Sequence, residues 1–178
     1  MQFFYSFKST TNQSLEPLNG HTIVIKREDL IHPIVSGNKF RKLKYVFKEI
    51  ESFSNSVVLT FGGAFSNHLA AVAAAGKLAN IQTIGIVRGE EWENKIASSS
   101  TLSYCSDQGM KIYCVSRAMY DLKEASELVH NLKSLYLNLR IIPEGGTETL
   151  AVKGCEEILQ KEDEHFDVIC SSVGTGGT

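Results

Sequence analysis

The sequence predicts an α/β protein with a parallel sheet covered by helices on both faces. β-rich apolar runs alternate with helical patterns, and the runs are apolar throughout rather than at every second residue. The length of 178 residues is enough for one well-buried domain and too short for two of typical size. We therefore expect one three-layer core.

The elements follow in order along the chain. Strands are predicted around residues 22–27, 57–61, 83–89, 110–116, 140–142 and 166–173. Helices are predicted over residues 38–50, 66–79, 95–108, 120–136 and 147–162. In the first helix Phe40, Leu43, Phe47 and Ile50 recur at spacings of 3, 4 and 3, which places them on one face. The helix over 66–79 is rich in alanine and can pack closely on a sheet.

Composition excludes several classes of partner. Hydrophobic residues at 43% and charged residues at 21% are typical of a globular protein, and the net charge of −2 gives no basic field for nucleic acid or a membrane. The N-terminus MQFFYSFKST has no leader pattern and no apolar run is long enough to span a bilayer, so we expect a cytoplasmic protein. Cysteines without a CxxC pair predict buried free thiols and no metal site: Cys105, Cys114, Cys155 and Cys170.

Ligands of parallel α/β sheets bind beyond the carboxyl ends of the strands, so the loops before helices are the places to search. The first such loop is SGNKFRK, residues 36–42. Lys39 falls in the opening turn of a helix, where the helix dipole and partial desolvation disfavour its charged form and leave a nucleophilic amine. Taken alone, a lysine among Arg41, Lys42 and Lys44 is more typical of a solvated helix face.

The second loop is FGGAFSNH, residues 61–68. Its glycines allow a sharp turn close to a ligand, Ser66 is an N-cap for the alanine-rich helix, and Asn67 can hydrogen-bond a ring oxygen. Capping alone accounts for Ser66 better than substrate contact does. A hydrolytic pairing of Ser66 with His68 is disfavoured, since there is no GxSxG elbow and no acid partner.

The third loop is GTGGT, residues Gly174, Thr175, Gly176, Gly177 and Thr178. Its amides and hydroxyls can bind a phosphate, although a flexible glycine-rich tail has the same composition. It matches neither GxGxxG nor GxxxxGK[ST], which disfavours a dinucleotide fold or a P-loop. In this order, an amine, a ring contact and a phosphate loop are what a pyridoxal phosphate site needs.

Four segments resemble one enzyme family. The stretches KREDLIHPIVSGNKFRKLKY, LTFGGAFSNHLAAVAAAGK, PEGGTETLAVKGCEEI and SSVGTGGT are similar to the 1-aminocyclopropane-1-carboxylate deaminase and D-cysteine desulfhydrase family. These are pyridoxal phosphate enzymes with a tryptophan synthase β-like fold. The resemblance runs from about residue 23 to residue 178.

The resemblance implies a role for each motif residue. Lys39 would be the Schiff-base lysine, Ser66 a substrate-contacting hydroxyl and Asn67 a contact to the cofactor's ring oxygen. The five loop residues 174–178 would hold the phosphate. The implied reaction opens the cyclopropane ring to give 2-oxobutanoate and ammonia; the alternative is β-elimination from D-cysteine to pyruvate, sulfide and ammonia. The partner is then a small amino-acid substrate, and the full-length parent is expected to be a homo-oligomer.

The resemblance also indicates what departs from the family pattern. Phe65 stands where proven deaminases usually carry glutamine, and Ser36 replaces a glycine, so substrate choice stays open.

Family members continue well past the phosphate loop, which implies that this chain is truncated. Residues 1–52 would then belong to the large domain, 53–162 to the small domain and 163–178 to the start of the second part of the large domain. We expect the Lys39 helix and the strand over 166–173 to lose part of their cover.

Two rival interpretations remain at this point. The chain would be a catalytically inactive remnant if it folds only in part and binds no cofactor. It would be a binding module for some other phosphate ligand if Lys39 is dispensable for binding.

Overall fold

A computed structural model describes residues 3–4 and 9–178 of the chain. Residues 1–2 and 5–8, within the N-terminal segment in which no leader pattern was found, lie outside the described residues. Within the described part, no helix is both long and apolar enough to cross a membrane.

Four parallel strands form the central sheet, in the order β5-β4-β3-β6. Their bounds are β3 Val57–Gly63, β4 Gln82–Arg88, β5 Lys111–Val115 and β6 Leu139–Ile142. A separate antiparallel pair precedes them, formed by β1 Asn12–Ser14 and β2 Val24–Lys26. The predicted fold class, α/β with a parallel sheet, is confirmed.

Six α-helices accompany the strands within the described residues. Their bounds are α1 Gly37–Ile50, α2 Asn67–Ala79, α3 Ser100–Asp107, α4 Arg117–Asp121, α5 Glu127–Leu135 and α6 Thr149–Cys155. Alternate residues of β3 face opposite cores. Val58 packs with α1, α2 and α3, whereas Leu59 packs with α4 and α5. The sheet is therefore covered on both faces, as predicted.

Helix α1 is confirmed together with its buried face. The four residues predicted to share that face are all at most 2% exposed: Phe40, Leu43, Phe47 and Ile50. The expectation that this helix lacks cover is wrong, because α6 lies directly against it. Gly154 of α6 makes the contact: a Cβ there would lie 1.9 Å from the carbonyl oxygen of Arg41.

Buried charge also fixes α1. The Arg41 side chain is 2% exposed, and its guanidinium makes two hydrogen bonds of 2.8 Å to the Glu28 carboxylate. Glu157, which follows α6, approaches the same guanidinium at 3.6 Å and pairs with Lys44. The helix that carries Lys39 is thus tied to segments on both sides by ion pairs that are largely shielded from water.

Three predicted helices differ from the structure. The helix over 120–136 is broken, because Lys123 adopts a positive φ of 48° and Ser126 is extended, its side chain capping α5 at the Val129 amide. The helix over 147–162 is shorter and ends at Cys155. The helix over 95–108 is a short 3-10 turn, Ile96–Ser98, followed by α3.

The strand predicted over residues 166–173 is wrong. The segment is irregular, since no described strand pairs with it and an isolated strand leaves its backbone groups without a ladder. Its apolar side chains are exposed: Val168, Ile169 and Val173. All four cysteines are free, but only Cys105 is fully buried and Cys170 in this segment is exposed. The prediction of buried thiols therefore fails for Cys170.

Candidate active site

A cleft of about 660 Å³ opens at the carboxyl edge of the sheet. It lies between the first turn of α1, the first turn of α2 and the turn that follows β6. Strands β3 and β6 are neighbours, with Thr60 beside Ile142, so the loops that leave these two strands meet at this edge. Residues from all three segments line the cleft: Asn38, Lys39, Ser66, Asn67, Glu144 and Gly145.

Lys39 brings an amine into the cleft. Its Nζ donates a hydrogen bond of 3.3 Å to the carbonyl oxygen of Gly145. Burial lowers the pKa of Lys39, and the nearby charge of Lys42 lowers it further. The direction of this shift is the one that the sequence predicted, and it favours the neutral, nucleophilic form of the amine.

Lys42 is the residue that sequence reasoning missed. It lies three residues after Lys39 on α1, is 2% exposed and forms no ion pair with any described carboxylate. Its Nζ donates to Thr147 Oγ1 at 3.1 Å, to Thr175 Oγ1 at 3.4 Å and to the Gly145 carbonyl at 3.4 Å. A buried ammonium among neutral oxygens is a ready site for an anion. The i, i+3 spacing from Lys39 was the signal that could have found it.

The glycine-threonine loop lies beside the cleft rather than in its wall. Thr175 and Thr147 are joined through their hydroxyl groups, and Asn38 Nδ2 donates to Thr178 Oγ1 at 3.0 Å. Gly176 has a positive φ of 77°, and a Cβ on Gly177 would strike the Thr147 side chain at 2.6 Å. Gly174 has nothing within 4 Å of such a position. The loop is therefore held against α1 through Lys42, Thr147 and Asn38.

Ser66 caps α2 and also lines the cleft. Its Oγ accepts a hydrogen bond of 3.3 Å from the Leu69 amide, so capping is present, as the sequence predicted. Asn67, the first residue of α2, is exposed at the mouth. The positive end of the α2 dipole points into the cleft at this position, which favours a carboxylate there.

Glu144 marks the opposite side of the mouth. Although burial acts to raise the pKa of Glu144, its ion pair with Lys123 at 2.8 Å holds that pKa below the usual range. A second cavity of about 440 Å³ shares Ser66 and Glu144 with the cleft. Phe65 and Trp92 line it, with their rings edge to face at 5.2 Å. Phe65 is 67% exposed on the wall of this side cavity.

The fold and the cleft define an α/β protein with a desolvated amine and a nearby buried ammonium at the carboxyl edge of its sheet. Comparison with known proteins then shows what this chain is similar to, although no family model matches the sequence. A protein of Thermotoga maritima, provisionally named 1-aminocyclopropane-1-carboxylate deaminase, is 32% identical over 188 aligned positions, which cover all of this chain and 59% of that protein. The bifunctional D-cysteine desulfhydrase/1-aminocyclopropane-1-carboxylate deaminase of Arabidopsis thaliana is 27% identical over 90% of this chain and 44% of its own length.

A solved structure agrees with these relatives. The crystal structure of an ACC deaminase homologue superposes with a TM-score of 0.76 at 28% identity, covering 95% of this chain and 53% of that one. Over most of its length the chain is thus similar to proteins named as 1-aminocyclopropane-1-carboxylate deaminases and D-cysteine desulfhydrases. It spans about half the length of the curated relatives it matches.

Proposed function

We propose that this chain supplies the lysine-bearing part of a pyridoxal phosphate enzyme that acts on a small amino acid. The observation that carries the proposal is the pairing of Lys39, an amine with a lowered pKa, with Lys42, a buried cation without a carboxylate partner among the described residues. The Lys39 amine can react with an aldehyde, and the Lys42 ammonium can bind a phosphate. The cofactor bears both groups, so the donor set fits it.

Each residue then has a task. Lys39 provides the amine that reacts with the cofactor's aldehyde. Lys42 and the hydroxyl groups of Thr147 and Thr175 bind its phosphate. Asn67 contacts the ring oxygen. When bound, pyridoxal phosphate supplies an electron-accepting ring that stabilises negative charge at the substrate's α-carbon. Under this proposal residues 1–52 and 163–178 belong to the large domain of the family and 53–162 to the small domain.

The substrate is held at the start of α2. The amides of the first turn and the Ser66 hydroxyl would bind its carboxylate. Lys39 would move a proton at the α-carbon of D-cysteine, and at a ring carbon of 1-aminocyclopropane-1-carboxylate, whose α-carbon carries no hydrogen. The reaction that we propose is ring opening and deamination of 1-aminocyclopropane-1-carboxylate to 2-oxobutanoate and ammonia. The alternative is β-elimination from D-cysteine, and the bifunctional name of the Arabidopsis relative favours keeping both.

The test is an absorbance titration with pyridoxal phosphate, followed by borohydride reduction and peptide mass spectrometry. We expect a reduced adduct mapped to Lys39 and abolished in Lys39→Ala, while Lys48→Ala, an exposed lysine on the same helix, retains it. Adduct formation at scattered lysines, equal in both variants, would contradict the proposal and favour the inactive-remnant interpretation. Phosphate binding that survives Lys39→Ala without any adduct would favour a simple phosphate-binding module.

A further inference from the structure

The carbonyl oxygen of Gly145 receives hydrogen bonds from two ammonium groups, at 3.3 Å from Lys39 and 3.4 Å from Lys42. An acceptor beside an ammonium favours the charged form, so the position of this oxygen affects how readily Lys39 loses its proton. Gly145 has no side chain to anchor it and lies at a positive φ of 73°. Any contact that fixes the position of this turn therefore affects how readily Lys39 loses its proton.

One pair of side chains contacts both ends of the turn over residues 142–146. The Thr60 hydroxyl on β3 donates a hydrogen bond of 2.9 Å to the carbonyl oxygen of Ile142, where the turn begins. The His68 ring on α2 lies against Gly146, where the turn ends: a Cβ on that glycine would be 2.9 Å from His68 Cε1. Thr60 Oγ1 and His68 Nε2 are themselves 2.9 Å apart.

Hydrogen-bond counting fixes the state of the ring. Thr60 has one hydroxyl proton, which it donates to Ile142, so its oxygen must accept from His68 Nε2–H. Nδ1 is then unprotonated, and it is buried with no hydrogen-bond partner among the described residues. Burial first, and then the charges of Lys39 and Lys42, lower the pKa of His68 to about 3, so the ring stays neutral.

We propose that Thr60 and His68 are positioning residues: by clamping the turn over residues 142–146, they hold the Gly145 carbonyl against the Lys39 ammonium and tune the reactivity of that amine. The inference rests on the proposed function in one respect, that Lys39 is the reactive amine. Neither Thr60 nor His68 takes a step in the chemistry. Among the described residues, the titratable groups that face Lys39 are Lys42 of its own helix, Cys155 of α6 and His68 of α2, and Glu144 also faces His68.

The first experiment uses the unaltered protein without cofactor. Imidazole ¹⁵N NMR, assigned with His68→Gln, reports which ring nitrogen carries the proton. We expect the neutral Nε2–H form of His68 from pH 8 to pH 5. An Nδ1–H form, or a ring that becomes charged within that range, would overturn the proposal even if no Thr60 variant could be prepared.

The second experiment separates positioning from general stability. The ¹³Cε shift of Lys39, assigned with Lys39→Arg, is titrated in Thr60→Val, which keeps the shape but loses the hydroxyl, and in Thr60→Ser, which keeps the hydroxyl. Loss of the clamp weakens the contact that favours the ammonium, so we expect Thr60→Val to make Lys39 about tenfold more acidic, roughly one pH unit. Thr60→Ser should restore the wild-type titration.

An unchanged or raised Lys39 pKa in a Thr60→Val protein that melts near the wild-type temperature would overturn the proposal. Failure of Thr60→Ser to restore the titration would do the same. No pyridoxal phosphate is present in either experiment. A protein that shows the expected titrations yet forms no adduct with the cofactor would thus disprove the proposed function while leaving the clamp intact.

Discussion

Replacing Gly154 with alanine should separate two helices that touch through backbone atoms. The new Cβ would lie 1.9 Å from the Arg41 carbonyl oxygen, whereas ordinary contacts begin at 3.4 Å, so α6 and α1 must move apart by about 1.5 Å. Such overpacking costs about 1–3 kcal/mol. Alanine recovers about 0.5–1 kcal/mol of helix propensity, which leaves a net loss of roughly 1–2 kcal/mol. For a chain of this size that lowers Tm by about 3–6 °C.

Thermal unfolding followed by far-UV circular dichroism measures the effect. The matched control is Gly174→Ala, where nothing lies within 4 Å of the added carbon, and we expect it to stay within about 0.5 kcal/mol of wild type. A Gly154→Ala protein as stable as this control would refute the packing argument. Because Lys39 lies on the displaced helix, Gly154→Ala should also reduce the yield of the borohydride-trapped adduct.

Three further predictions concern the cleft. Lys42→Gln should weaken binding of pyridoxal phosphate about 10- to 100-fold, measured by titration, because it removes a charge-assisted hydrogen bond worth about 1.5–3 kcal/mol. The control Lys44→Gln should leave this affinity unchanged. If both variants bind the cofactor equally well, Lys42 is not part of the phosphate site. Ser66→Ala should cost about 1 kcal/mol in urea denaturation because it removes the cap of α2, whereas Ser66→Asp keeps the cap and should stay near wild type while repelling a substrate carboxylate. A Ser66→Ala protein as stable as wild type would show that the cap is misassigned. Since unfolded His68 takes up a proton near pH 6.5 and the folded ring does so only near pH 3, stability should fall as pH drops below about 6.5. Between pH 7.5 and pH 5 the loss should be about 2 kcal/mol, and His68→Gln should abolish that share; a parallel decline in both proteins would contradict the buried neutral ring.

Short sequence patterns correctly predicted the helices whose formation depends on residues close together in the chain. The spacing of Phe40, Leu43 and Phe47 predicted both helix α1 and its buried face, and the alanine content of α2 predicted close packing on the sheet. That packing is seen at Gly76, where a Cβ would meet the Thr83 side chain at 2.3 Å. Where the pattern depended on a pairing partner, as for the apolar run over 166–173, propensity alone was misleading.

In the candidate site, too, residues marked by local sequence could be predicted, and contacts between distant residues could not. Lys39 lies in the first turn of α1 and Ser66 caps α2, and both could be found because a helix start is visible in sequence. The contacts of Lys42 with Thr147 and Thr175 join residues more than one hundred positions apart, and no spacing rule connects them. The clamp formed by Thr60 and His68 depends on the facing of β3 toward α2, which only the packed sheet defines.

The long-range contacts of the cleft have a consequence for folding kinetics. The hydrogen bond between Asn38 and Thr178 spans 140 positions, and that between Lys39 and Gly145 spans 106, whereas β3 and β4 pair through a single short crossover. Loops of this length close late, so a partly folded chain can contain the β3–β4 pair before it contains the cleft. A ligand specific for the cleft then binds only the completed molecule and stabilises it by about 2.7 kcal/mol at one hundred times its Kd. Ligand-induced resistance to proteolysis would therefore measure how far the last, most distant contacts have formed.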